Sequence, residues 1–318
     1  MADLDCIVAG SCVVDLLTRP VALDKPIGGG VLYQTDPVVL TAGGITCNSG
    51  ITMARLGMAV GVLSYVGDDA WSPVVRGLLR QEGVDDALLL THPTGATSTT
   101  VVVIDPSGER SFFHCVGAPK LMDAAMVLGQ LQHIGRSKWL LLGYYSLMPG
   151  LEPDLPRVFE AIRATGCRTA MDAAGSGGAM QPLDRILPHL DLYVPSRGEA
   201  EHQTGETDPR KMIAAYRGCG APGVLGVKLG GTEGVLLSDR DGDYVHVPSC
   251  AAPDAVVDTT GAGDSFLAGL LTGLIRGLPL ADAGRLGCAA GACCVTSLGG
   301  CTGGRSYAET ARLAGVTV

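Results

Sequence analysis

Asp258-Thr259-Thr260-Gly261-Ala262-Gly263-Asp264-Ser265-Phe266 is the stretch on which the reading of this chain turns. Ala255, Val256 and Val257 before it have strand character, and Leu267, Leu270, Leu271 and Leu274 after it recur at helical spacing, which predicts a strand-to-helix turn. Two glycines around an alanine leave no bulky side chain over the backbone amides. The unpaired N–H groups of a first helical turn, with the positive end of the helix dipole behind them, attract phosphate. Asp264 then puts a carboxylate where an anion would sit. That suits a base which takes a proton from an attacking hydroxyl while the amides of Gly261, Ala262 and Gly263 absorb charge on a phosphoryl group. Taken alone, Asp264 reads first as a residue that favours a helix N-terminus. The turn is no P-loop, because no Lys-Ser/Thr pair follows Gly263, and Phe266 stands where a dinucleotide fingerprint needs its third glycine.

A second glycine turn lies near the start, Ala42-Gly43-Gly44-Ile45-Thr46-Cys47-Asn48, followed by Ile51, Met53, Ala54, Leu56 and Gly57, a helix closed by glycine. Asn48 is the sole asparagine in 318 residues. Its amide can donate to and accept from a ligand hydroxyl, and it is equally a common cap.

These two turns, in this order, resemble the two signatures of the ribokinase-like (PfkB) family of sugar and nucleoside kinases, with Val66-Gly67-Asp68-Asp69 matching further family words. The resemblance implies an α/β, three-layer fold: a central, mostly parallel sheet flanked by helices, plus a small β-sheet lid. Residues 1–318 then form one domain, with the lid built from segments around 12–40 and 97–117. It implies ATP and Mg2+ as cofactors, with Asp264 as base. Sugar hydroxyls would be held by Asp15, Gly43, Gly44 and Asn48. Tyr145, in Gly143-Tyr144-Tyr145-Ser146, would stack on the ring or reach a hydroxyl. Ser196, Lys228, Gly230, Gly231, Thr259, Gly261 and Gly263 would meet the nucleotide, and Glu199 would hold Mg through water. Ser196 stands where the family usually has asparagine, and Gly117-Ala118-Pro119 replaces Gly-Ala-Asn in the lid. Similar kinases often bind K+ through carbonyls of the 258–260 turn and of the loop after the helix at 286–295, and often form a homodimer through the lid.

Secondary-structure patterning agrees with that architecture. Strands are expected at 138–142, 168–171, 190–194 and 223–228, with helices near 153–164, 179–187 and 209–217 between them, the rhythm of a parallel sheet with helical crossovers. Residues 99–104 and 110–115 flank a proline-glycine turn and read as a hairpin, whose Phe112, Phe113 and His114 line the lid or simply pack. A connection is expected around 26–33.

Composition sets the remaining bounds. Hydrophobic residues make up 47% and charged residues 17%, which describes an ordered globular chain. A net charge of −9 argues against nucleic acid or an anionic membrane surface as partner. No run reaches the ~18 apolar residues of a membrane span, and the first ten residues do not read as a signal peptide. Eleven cysteines, an odd number without a Cys-x-x-Cys pair, read as reduced thiols of a cytoplasmic protein rather than a zinc site. The expected partners are therefore a small sugar and ATP. Two alternatives stay open: a nucleoside kinase with Tyr144 and Tyr145 as a stacking surface, and a sugar-binding regulatory protein without catalysis. A phosphorylated acceptor would require cations near the lid, with Arg19, Arg110 and Lys120 as candidates.

Overall fold

Along β1 (Leu4–Ala9) the side chains alternate between two buried faces: Ile7 and Ala9 enter one apolar cluster, Cys6 and Val8 another. A strand buried on both faces belongs in the middle of a doubly covered sheet. The computed structural model, which describes residues 3–24, 28–175 and 177–317, shows that arrangement. Residues 26 and 27 of the expected connection lie outside the described residues. The other strands are β2 (Val13–Thr18), β3 (Val39–Gly43), β4 (Val60–Val66), β5 (Asp85–Thr91), β6 (Ser98–Ile104), β7 (Arg110–Cys115), β8 (Ser137–Leu142), β9 (Arg168–Met171), β10 (Leu192–Tyr193), β11 (Val224–Gly230), β12 (Gly234–Ser238) and β13 (Tyr244–Val247). The large sheet has the order β13-β12-β11-β10-β9-β8-β1-β4-β5. Its pairings are parallel from β5 through β11, and β12 and β13 complete it antiparallel.

Helices Leu155–Ala164 and Pro209–Gly218 cover one face, through Val158, Phe159, Ile162, Met212 and Ile213. Helices Gly44–Arg55, Trp71–Gln81 and Ala262–Ile275 cover the other. Ala262–Ile275 is buried from Asp264 through Gly273, because helix Leu280–Cys294 lies on its outer side. Small residues allow this approach: a Cβ on Gly269 would stand 2.8 Å from that of Ala290. Among the described residues, no helix is long and apolar enough to cross a membrane.

The small sheet has the order β3-β2-β6-β7. Its register lines up Thr41, Asp15, Thr100 and His114 across four strands on one face. The neighbouring row, Leu40, Leu16, Val101 and Phe113, falls on the opposite face by the pleat.

Several local expectations are corrected. Ala255, Val256 and Val257 form no strand; Val256 and Val257 are 62% and 46% exposed in the loop that follows β13. Their β-branched side chains carry strand propensity, but β13 already closes the sheet edge. The turn at 258–261 therefore joins a loop, not a strand, to its helix. The strand expected at 190–194 shrinks to Leu192–Tyr193, and the late helix starts at Leu280, directly after Pro279.

Candidate active site

Two helix N-termini converge at the carboxyl ends of the parallel strands, where open α/β sheets bind ligands. Gly44 opens the first helix with φ +75°, and a Cβ there would stand 2.4 Å from the Ser11 carbonyl oxygen. Gly261 precedes the second with φ +74°. The helices are joined by polar contacts along their length. Ser49 Oγ donates to the Asp264 carbonyl at 3.0 Å, and the hydroxyls of Thr52 and Ser265 lie 3.2 Å apart.

Asp264 is 5% exposed. Its Oδ2 accepts from Asn48 Nδ2 at 2.8 Å and from the Tyr144 hydroxyl at 2.7 Å. Burial raises the carboxyl above its ordinary range; Tyr144, Asn48 and the ammonium of Lys228 oppose that rise. Asn48 Oδ1 is buried without a partner. An orphaned acceptor beside a buried carboxylate calls for a donor from a ligand.

The turn before Asp264 is fixed by Asp258, 3% exposed. Its carboxylate accepts from the amides of Thr260 (2.8 Å) and Gly299 (2.9 Å) and from Arg110 Nη1 (2.5 Å). Burial works against its charge, but these donors outweigh it and hold the carboxyl below the usual range. Arg110 comes from β7 of the small sheet and also donates to Thr260 Oγ1 at 3.0 Å. Of the three turn amides expected to face an anion, that of Ala262 donates to the Thr259 carbonyl at 3.3 Å.

A cavity of about 560 Å³ extends from Asp264 past Tyr144, Asp172, Glu199 and Lys228 to the 259–263 turn. A second, of about 550 Å³ and lined largely by apolar groups such as Val256, Phe266, Ala292 and Val295, adjoins it. The two share Lys228, Gly230, Thr259, Ala262 and Gly263, so they form one trough with a polar and an apolar end. Lys228 Nζ lies 3.1 Å from Asp172 Oδ1. Burial disfavours the charge on both; Lys228 nevertheless keeps its proton because Asp172 and Glu199 surround it, while burial pushes Asp172 upward. Ser196 and Glu199 form a reciprocal capping box: Glu199 Oε2 accepts from the Ser196 amide at 2.7 Å, and Ser196 Oγ accepts from the Glu199 amide at 3.4 Å. Both line the polar end, as does Gly230, whereas Gly231 lines the apolar end alone.

In the small sheet, outside the lining of both cavities, Asp15 lies over Gly43: a Cβ on Gly43 would stand 2.0 Å from Asp15 Oδ2. Burial raises the Asp15 carboxyl, opposed by Thr100 and His114. Thr41 Oγ1, in the same row, is buried without a partner.

A family profile described as "pfkB family carbohydrate kinase" matches residues 3–305. The chain belongs to the pfkB family of carbohydrate kinases. It is 34% identical over 283 residues to a fructokinase of Klebsiella pneumoniae, covering 86% of this chain and 85% of that one. Among solved structures its fold is similar to Arabidopsis thaliana ribokinase complexed with ribose and ATP (TM-score 0.82, 22% identity, 100% of each chain). It is also similar to a putative ribokinase II of E. coli in complex with ATP and Mg2+ (TM-score 0.79, 22% identity, 98% of each chain). The three-layer fold with its separate small sheet is thus that of the family.

Within this pfkB-family chain, one expected contact is corrected. Tyr145 is fully buried on the opposite face of the large sheet, where its hydroxyl donates to the Gly177 carbonyl at 2.7 Å. It touches neither cavity. Tyr144 is the tyrosine at the site: it lines the polar cavity and donates to Asp264. One further residue escaped the sequence reading, as did the role of a second. Asp172 follows the end of β9, and position after a parallel strand was the available signal. The partnership of Arg110 with Asp258 joins positions 148 apart, which no local pattern reveals.

Proposed function

We propose that this protein transfers the γ-phosphoryl group of ATP to a primary hydroxyl of a small neutral sugar. The observation that carries the reading is Asp264: a buried carboxylate at a helix N-terminus, with one oxygen doubly held and the trough of the cavities beside it. The acceptor hydroxyl gives its proton to Asp264 as its oxygen attacks the γ-phosphorus, and the bond from that phosphorus to the β-bridging oxygen breaks to release ADP. The amides of Gly261, Ala262 and Gly263 and the ammonium of Lys228 lie where charge develops; for Ala262 this requires its weak bond to Thr259 to open. The apolar end of the trough suits a purine, and Gly230, Gly231 and Thr259 let the phosphates approach.

Mg2+, when bound, would supply positive charge to offset that of the nucleotide phosphates. Among the described residues no cluster of three side chains suited to hold a metal occurs, which fits an ion kept by phosphates and water, with Glu199 and Ser196 reaching it through water. No step is assigned to a potassium ion.

The acceptor side is rich in hydrogen-bond acceptors: Asp15, Asn48 Oδ1 and Thr41 Oγ1. A polyol supplies the donors they require, while a phosphate or carboxylate on the sugar would meet two carboxylates. Arg110, one of the candidate cations, is engaged by Asp258. Turnover is therefore expected on neutral pentoses or hexoses in a coupled assay, and not on sugar phosphates. Asp15→Asn should lower kcat/KM for the sugar by roughly 10–100-fold, the worth of a hydrogen bond to a charged group. Faster turnover of a sugar phosphate would overturn this choice. The same geometry weakens a nucleoside acceptor, since Tyr145 is buried and the Tyr144 hydroxyl is engaged by Asp264. A base carboxylate so fully supported also counts against a binding protein without catalysis.

We read residues 1–318 as one kinase domain. Its eleven cysteines, all free of disulfides, support a reducing cytoplasm. The apolar row of the small sheet supports a homodimer: Leu40, Val101 and Phe113 are 38%, 40% and 55% exposed. Sedimentation should show a dimer that Phe113→Glu converts to monomer; a monomeric wild type would refute the pairing.

A further inference from the structure

Resting on the kinase reading above, we infer that Tyr144 is a positioning residue for the base, holding Asp264 so that Oδ1 is the oxygen that receives the proton. Its backbone is the first observation. Tyr144 (φ 61°, ψ 37°) is the only non-glycine at positive φ among the described residues. L-residues with large side chains rarely adopt that conformation, and glycine would adopt it without strain. The left-handed residue turns the chain at the end of β8, sending Tyr144 toward helix Ala262–Ile275 and Tyr145 to the opposite face. A glycine would make the same turn but bring no hydroxyl to Asp264.

The second observation is the sharing of one oxygen. Both donors reach Asp264 Oδ2, Asn48 from its helix and Tyr144 from the strand end. With Oδ2 so engaged, rotation of the carboxylate would break two hydrogen bonds at once, and Oδ1 keeps its lone pairs for the acceptor hydroxyl. Asn48 alone is a weaker fix, because its carboxamide carries an unpartnered Oδ1 on the other arm. The phenol stays a donor across the working pH range: burial, then the adjacent Asp264, raises it well above its ordinary value. Tyr144 keeps its own proton throughout, and the proton lost by the acceptor goes to Asp264.

The test uses the full chain and its best sugar acceptor. Tyr144→Phe keeps the ring and removes the hydroxyl. The expected result is a kcat lower by about tenfold, the worth of one hydrogen bond to a charged group. KM for ATP is expected to stay the same. The acid limb of the kcat–pH profile should move to higher pH, because a donor that favours the ionised carboxylate is gone; Lys228, Glu199, Asp172 and Cys294, the other ionisable groups around Asp264, are untouched by the change. Tyr145→Phe, on the other sheet face, should leave that limb in place. An unmoved limb in Tyr144→Phe, or an equal shift in Tyr145→Phe, overturns the inference and leaves the kinase reading standing. A wild type silent on every acceptor removes both.

Discussion

Replacing Asp264 by Asn is expected to lower kcat by roughly 10²–10⁴ while nucleotide affinity stays near that of the wild type. The carboxamide matches the carboxylate in shape, and its oxygen can still accept from Asn48 and Tyr144. What it cannot do is take the acceptor's proton. The wild-type rate should fall as pH drops through the raised value of Asp264, and that limb should vanish from the residual activity of the variant. Stability should move the other way. Because the folded-state value of Asp264 is raised above the unfolded one, its contribution is greatest at low pH and is lost as pH rises through the folded value. At neutral pH the wild type thus holds a disfavoured buried charge, and Asp264→Asn is expected to melt higher. Steady-state kinetics, nucleotide titration and a melting curve on one preparation check all three, and near-normal turnover would sink the role given to Asp264.

Gly261→Ala should be nearly as damaging, for a reason confined to the backbone. The residue sits at φ +74°, where a Cβ costs about 1–2 kcal/mol by itself. That Cβ would also stand 2.0 Å from the Gly300 carbonyl oxygen and 2.7 Å from its carbon, atoms of another loop that cannot rotate away. The turn must open, and the amides of Ala262 and Gly263 move with it. A kcat loss on the order of 10²–10³ is expected, the worth of an anion-stabilising donor, together with a lower Tm. Gly263→Ala provides the contrast. Its φ is not positive, and the nearest atom to the new methyl is Lys228 Nζ at 3.5 Å, an ordinary contact. If Gly261→Ala melted no lower than Gly263→Ala, the turn would not be the rigid anion cradle described here.

The sequence carried the elements whose chemistry is local. The glycine turns at 43–44 and 261–263 and the carboxylate of Asp264 directly after the second declare themselves within a few residues. The strand rhythm from 138 onward did the same for the parallel sheet. Misreadings arose where tertiary context decides. Val256 and Val257 carry strand propensity with no sheet edge left to join. Tyr144 and Tyr145 are chemically identical neighbours, and a single left-handed backbone residue determines which of them meets Asp264. Asp172 and Arg110 lacked any motif, since their partners Lys228 and Asp258 lie far along the chain.

The side-by-side helices Gly44–Arg55 and Ala262–Ile275 bear on how activity appears during synthesis. Asn48 emerges early and Asp264 late, 216 positions behind it. Until the late helix docks, the apolar cluster that Ile45, Ile51 and Met53 share with Phe266, Leu267 and Leu270 stays open, and no acceptor can be activated because Asp264, the proposed base, is missing. A nascent or C-terminally truncated chain is therefore both aggregation-prone and inert, so phosphoryl transfer begins only when folding has closed over almost the full length of the polypeptide.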